Sequence, residues 1–239
     1  MKENNSFRRG VIDGLPICFG YFAVSFAFGI FSVAKGLTVP EATLISATNL
    51  TSAGQLAAVP IIAAGGSYIE IILSQLVINA RYALMSVSLS QKMGTSIKTS
   101  HRLLIAFANT DEVFAVASSN KEQVGKYYMM GLILTPFLGW TGGTLLGAVA
   151  GNVLPAILVS SLGIAIYGMF IAIVVPVAKE SRGVLIGSLM AVALSVALYY
   201  VPVLSEIPDG FSIIITAVTV SLIMAAVAPI KDEEVAEDA

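Results

Sequence analysis

Cysteine and histidine are almost missing from this sequence. Its 239 residues contain one of each, Cys18 and His101. A single cysteine excludes an intrachain disulfide, and no zinc or iron–sulfur ligand spacing can be assembled. No metal or cofactor is therefore expected. His101 lies between Ser100 and Arg102 in a basic stretch read as a loop, where it is expected to be solvated. Catalysis of the Ser-His-Asp type has no support from such a histidine. The nucleotide-binding pattern Gly-x-x-x-x-Gly-Lys-Ser/Thr is absent, so drive by ATP would need another chain. Charge is scarce too. Only 12% of residues are Asp, Glu, Lys or Arg, against about 25% in a soluble domain, and no nucleic-acid partner is expected.

Apolar residues fill the gap: 56% of the chain is hydrophobic and the mean hydropathy is +0.87. These values predict an all-α integral membrane protein lying in a lipid bilayer. Seven or eight hydrophobic helical segments are expected, over about 14–34, 42–64, 68–90, a short 103–118, 127–150, 154–178, 183–200 and 211–229. The first is too long for a signal-peptide core and is read as a retained span. Residues 1–239 form a single polytopic membrane domain, ending in an acidic tail, 231–239, expected to be solvated and disordered. The tail carries five acids and one lysine, a charge of −4, so a chain of net −2 has a body of +2.

Basic residues favour the cytoplasmic side of a membrane. Arg8 and Arg9, then Lys179 and Arg182, place both termini in the cytoplasm. Lys92, Lys98 and Arg102 fit that rule only if a preceding segment does not fully cross, so a broken or re-entrant element is expected near 103–118. Trp140, Tyr127, Tyr128, Tyr199 and Tyr200 read as interfacial anchors. An internal echo relates Pro16-Ile17-Cys18-Phe19-Gly20-Tyr21 to Pro136-Phe137-Leu138-Gly139-Trp140, suggesting repeats over 14–118 and 127–230. Gly139, Gly143, Gly147 and Gly151 recur every fourth residue, a pattern for close helix approach. The partner helix is either internal or on another subunit.

Polar residues inside apolar runs mark the candidate site. In segment 42–64, Thr48, Ser52 and Gln55 have the spacing of one helical face, with Asn49 and Gly54 beside them. Such a stripe suggests an interrupted helix whose freed backbone groups bind a substrate carboxylate or ammonium; its bland alternative is hydrogen bonding between helices. In segment 68–90, Gln75, Asn79 and Tyr82 share the same spacing, and Arg81 lies deep in the run. Buried Arg should pair with Asp111 or Glu112, the acids taken to lie well inside an apolar run. Those two diverge by about 100° on a helix. One is expected to pair with Arg81, Asp111 being favoured for its shorter reach, and the other to carry a proton. The divergence also argues against an aspartyl-dyad enzyme.

At these residues the chain resembles the AzlC family, the large subunit of bacterial branched-chain amino acid exporters. Pro16, Gly20 and Tyr21, then Ala53-Gly54-Gln55, Asn79 and Arg81 with Tyr82, and Thr110-Asp111-Glu112 carry the resemblance. It implies a secondary transporter that exports valine, leucine, isoleucine or methionine across the bacterial inner membrane. It also implies a small AzlD-type membrane subunit as partner. Proton antiport is expected to drive it, with substrate bound by Thr48, Asn49, Ser52, Gly54, Gln55, Asn79 and Arg81 and protons handled by Asp111 and Glu112. The rival readings are a non-transporting membrane assembly or sensor subunit, and an intramembrane enzyme.

Overall fold

A computed structural model describes residues 5–94 and 97–228. The acidic tail lies outside the described residues, as do the ends of the second repeat and of the last segment. Among the described residues there are eleven α-helices and no strand. Four helices are long and apolar enough to cross a membrane, or five if one broken pair counts as a span. Many large apolar side chains face outward, far more than a soluble surface tolerates. The protein is an all-α, multi-pass membrane protein.

The helices are α1 (Phe7–Ala34), α2 (Val39–Thr48), α3 (Ala53–Ala63), α4 (Tyr68–Ile78), α5 (Ala80–Lys92) and α6 (Thr99–Phe107). They continue as α7 (Asp111–Ser118), α8 (Lys126–Val153), α9 (Ala156–Glu180), α10 (Arg182–Tyr200) and α11 (Asp209–Val227). They fall into two compact units. The first holds residues up to Val59 and Asn79–Tyr167; the second holds Pro60–Ile78 and Gly168 onward.

In the first unit, α1 and α8 form a tight pair. Each has 28 residues and one internal proline, Pro16 or Pro136. Ser6 starts α1 by accepting the Arg9 N–H at 3.2 Å, and Gly36, at φ +97°, turns the chain away after its end. The glycine stripe of α8 decides the packing. A Cβ at Gly139 would strike the backbone of Cys18, one at Gly143 the Phe22 carbonyl and Ser25, and one at Gly147 the Phe26 carbonyl. A Cβ at Gly151 would strike Val33. All four positions face α1, so the partner of the stripe is internal. Gly142, off the stripe, would meet nothing.

The segment 42–64 is not one helix. Thr38 and Glu41 make a capping box that starts α2. The helix then stops at Thr48, Asn49 is extended, and Ser52 sits at φ +29° before α3 begins. Thr48, Ser52 and Gln55 therefore do not share a face, because four non-helical residues separate Thr48 from Ala53. Segment 68–90 likewise breaks at Asn79 (φ −98°, ψ 5°). Gln75 belongs to α4 and Tyr82 to α5, and Arg81 stands in a first helical turn rather than deep within a helix. Segment 103–118 is two short helices, α6 and α7, separated at Ala108–Thr110.

In the second unit, α11 packs against α4 and α10. The Gly210 N–H, at the start of α11, donates to Glu70 Oε1 at 2.8 Å, and Glu70 is only 5% exposed. Asp111 and Glu112 are thus not the only acids within an apolar run.

Candidate functional site

The site grows from the break before α7. Thr110 is extended (φ −88°, ψ 171°), and its hydroxyl accepts the Val113 N–H at 3.4 Å. Asn109 and Thr110 are buried, and Asn109 Nδ2 donates to Ser86 Oγ on α5 at 3.2 Å. This cap places Asp111 and Glu112 in the first turn, where the helix end favours negative charge.

The two carboxylates diverge, each to its own partner. Arg81, on α5, reaches Asp111 Oδ2 at 2.7 Å. Its guanidinium also lies 5.2 Å from the Tyr82 ring centroid, and Nη2 is 3.5 Å from the Tyr82 hydroxyl. The Tyr21 hydroxyl, on α1, donates to Glu112 Oε2. Glu112 is thereby held as well as Asp111, rather than left without a contact. Nor is the Arg81–Asp111 pair buried: its side chains are 54% and 44% exposed, and Glu112 is exposed. Charged groups facing hydrocarbon would be costly, so this face suits water, substrate or protein.

Tyr21 connects the acids to a buried polar network. Its ring meets Trp140 of α8 edge-on, with centroids 5.1 Å apart and planes at 75°. Trp140 Nε1–H donates to Gln55 Oε1 at 2.8 Å, and Gln55 Nε2 donates to Ser46 Oγ at 2.9 Å. Ser46 and Thr144 share a hydroxyl–hydroxyl bond of 2.7 Å. Gln55, Ser46 and Thr144 are fully buried. Their pairing satisfies groups that would otherwise destabilise the interior by about 1–3 kcal/mol each. It ties the end of α2 and the start of α3 to α8 across the break.

The family model described as AzlC protein matches residues 16–154. The chain belongs to the AzlC family. It is 29% identical over 197 residues to an uncharacterized membrane protein of Archaeoglobus fulgidus, covering 81% of this chain and 86% of that one. It is 28% identical over 207 residues to the inner membrane protein YgaZ of Escherichia coli, covering 83% and 84%. A membrane protein of Helicobacter pylori is 27% identical over 156 residues, covering 62% and 67%. No solved structure matches.

The AzlC match encloses every residue of the network, from Tyr21 to Thr144. Of the residues singled out in the sequence, Gln55 and Glu112 belong to this chain of contacts, and the Arg81–Asp111 pair stands beside it because Asp111 precedes Glu112 in the chain. Others make contacts within the breaks and turns themselves. Thr48 turns its hydroxyl back to the Leu44 carbonyl at 2.7 Å. Asn49 accepts from the Thr51 hydroxyl at 2.8 Å within the break, and Ser52 and Gly54 shape the turn, the Gly54 N–H donating to the Thr51 carbonyl at 3.0 Å. Asn79 forms the α4–α5 break, where its carbonyl accepts the Tyr82 N–H at 3.0 Å.

Three residues need different roles from those read in the sequence. Trp140 is no interfacial anchor: it lies mid-helix and is 3% exposed, its N–H committed to Gln55. Tyr128 is buried as well, donating to Asp13 Oδ2 at 2.9 Å. His101 lies in the first turns of α6 rather than in a loop, half-buried, because the helix starts at Thr99. Ser46 and Thr144 were not foreseen. Their signal was weak, since a lone hydroxyl in an apolar helix usually bonds its own backbone. No group of three or more His, Cys, Asp or Glu that could hold a metal occurs among the described residues.

Proposed function

We propose that the chain is a secondary transporter that exports branched-chain and similar hydrophobic amino acids (valine, leucine, isoleucine or methionine) in exchange for protons. It works in the bacterial inner membrane with a small AzlD-type subunit and with both termini in the cytoplasm. The observation that supports this reading most is the half-exposed Arg81–Asp111 pair beside Glu112. Arg81 offers a substrate carboxylate a planar two-pronged donor, and Asp111 offers its ammonium an acceptor. Glu112, held by Tyr21 rather than by a cation, is the group left to take and release a proton. The interruptions at Asn49–Ser52 and Asn79 are helix breaks of the kind that transporters place at their substrate sites.

The test is counterflow of labelled valine, leucine and methionine in proteoliposomes, with and without the small subunit. Saturable counterflow is expected. Its absence in both preparations would assign the chain to a non-transporting assembly or sensor role instead.

A further inference from the structure

A polar cavity lies away from the acids just described. Its volume is about 730 Å³, enough for an amino acid with its water. It is bounded by the first turns of α1, the end of α7 and the loop leading to α8. Two charged groups of opposite sign on its wall are fixed by the fold. Arg9 Nε lies 3.5 Å from Asp13 Oδ2, one helical turn away, and the side chains remain 41% and 29% exposed. Asp13 is held by the Tyr128 hydroxyl at 2.9 Å, which itself accepts from Asn120 Nδ2 at 3.1 Å. Lys121 and Glu122 also line the cavity, but they sit on the loop and are exposed. On the same face of α1 as the charges, Ile12 and Pro16 add apolar surface, joined by Val116 of α7.

We propose that this cavity is a loading site for small zwitterionic amino acids with aliphatic side chains. The ligand's ammonium meets Asp13, its carboxylate meets Arg9, and its side chain lies against Ile12, Pro16 and Val116. A zwitterion presents the opposite ends of the Arg9–Asp13 pair, so it can replace that weak, water-exposed contact with two charge-assisted hydrogen bonds. The position fits loading from the cytoplasm. Lys121 and Lys126 border the cavity's loop, and loops rich in such residues lie inside. From Pro16 to Tyr21, and back along α7 from Val116 to Glu112, is about 6–8 Å of helix. Pro16 and Val116 of the cavity wall therefore lie within about two helical turns of Tyr21 and Glu112 along α1 and α7. The proposal rests on the reading of the chain as an amino acid transporter and adds where its substrate first binds.

Cys18 is the only cysteine, which makes a local test practical. Ser119→Cys, in a Cys18→Ser background, puts one thiol on the cavity wall. The full chain in nanodiscs is labelled with a polar maleimide in the presence of L-leucine, 3-methylbutylamine or 4-methylpentanoate. Leucine should slow labelling severalfold, whereas the amine and the acid alone should not. Adding Asp13→Asn, which keeps an acceptor for Tyr128, should raise the half-protecting leucine concentration about tenfold. If Asp13→Asn does not give monodisperse protein, Arg9→Gln supplies the same arm. Unchanged labelling with leucine, or undiminished protection in the charge variant, overturns the loading site. Counterflow without protection overturns it while leaving the transporter reading intact. Protection without counterflow keeps the site and removes the transporter reading, and loss of both removes both.

Discussion

Two parts of the first unit are built on opposite plans. The α1–α8 pair consists of two unbroken 28-residue helices pressed together on glycine, with backbone against backbone. The segments α2–α3 and α6–α7 are interrupted within apolar sequence, and α5 begins at an interruption. Each break is flanked by polar or charged side chains. Close-packed backbones have almost no way to yield, whereas a broken helix leaves backbone groups and side chains available to a ligand. The comparison assigns α1 and α8 the role of a frame and the broken elements the role of the site. Tyr21 and Trp140 are where the frame holds the site.

The largest effect expected from this contrast is on the frame. Gly143→Leu or Gly147→Leu would drive a side chain into the α1 backbone, beyond the 1–3 kcal/mol or so of ordinary overpacking. Both variants should lose monodisperse protein in size-exclusion chromatography. Gly142→Leu, on the open side of the same helix, should retain it. Equal behaviour of all three would remove the close approach of α1 and α8 from the account.

Arg81→Ala should show the reverse pattern. A half-exposed pair contributes about 0–1 kcal/mol to stability, so thermal unfolding should shift little, while counterflow should fall at least tenfold. A large loss of stability with proportionate loss of transport would make the pair structural.

The frame was largely legible in the sequence. Four glycines at every fourth position of one apolar run specify a tight face, although only the contacts with Cys18, Phe22 and Phe26 show that the face is internal. The charges were legible as well, because Arg81, Asp111 and Glu112 stand out in such sequence, and the pairing of Arg81 with the shorter acid follows from reach. The breaks were harder to see. Spacing of i, i+4 and i+7 assumes a continuous helix, and Thr48, Ser52 and Gln55 satisfy it on paper while Ser52 lies in a left-handed turn. Exposure was misjudged for a related reason. Arg81 counted as fourteenth in one helix over 68–90 is deep, but it is the second residue of α5 once Asn79 ends the preceding helix. Trp140 was misplaced because an aromatic in a membrane sequence suggests the interface, and its hydrogen bond to Gln55 spans 85 positions.

A smaller effect is expected within the network. Trp140→Phe keeps the ring against Tyr21 but leaves the buried Gln55 oxygen without its donor. Stability should fall by about 1–3 kcal/mol, visible as a lower thermal midpoint, with leucine counterflow retained in the protein that remains folded. Gln55→Leu in the same background should cost less than the sum of the two single changes, because the orphaned acceptor is then gone. Strict additivity would show that the contact between Trp140 and Gln55 carries no coupling.

The division of labour between the two acids is the centre of the account. Glu112→Gln mimics the protonated carboxyl, keeps its shape and can still bond Tyr21. Leucine flux is measured in proteoliposomes twice, as net transport under an imposed pH gradient and as exchange at equal pH. The account predicts that Glu112→Gln loses gradient-driven transport and keeps exchange, whereas Asp111→Asn, which unpairs Arg81, loses both. Normal gradient-driven transport by Glu112→Gln would contradict it.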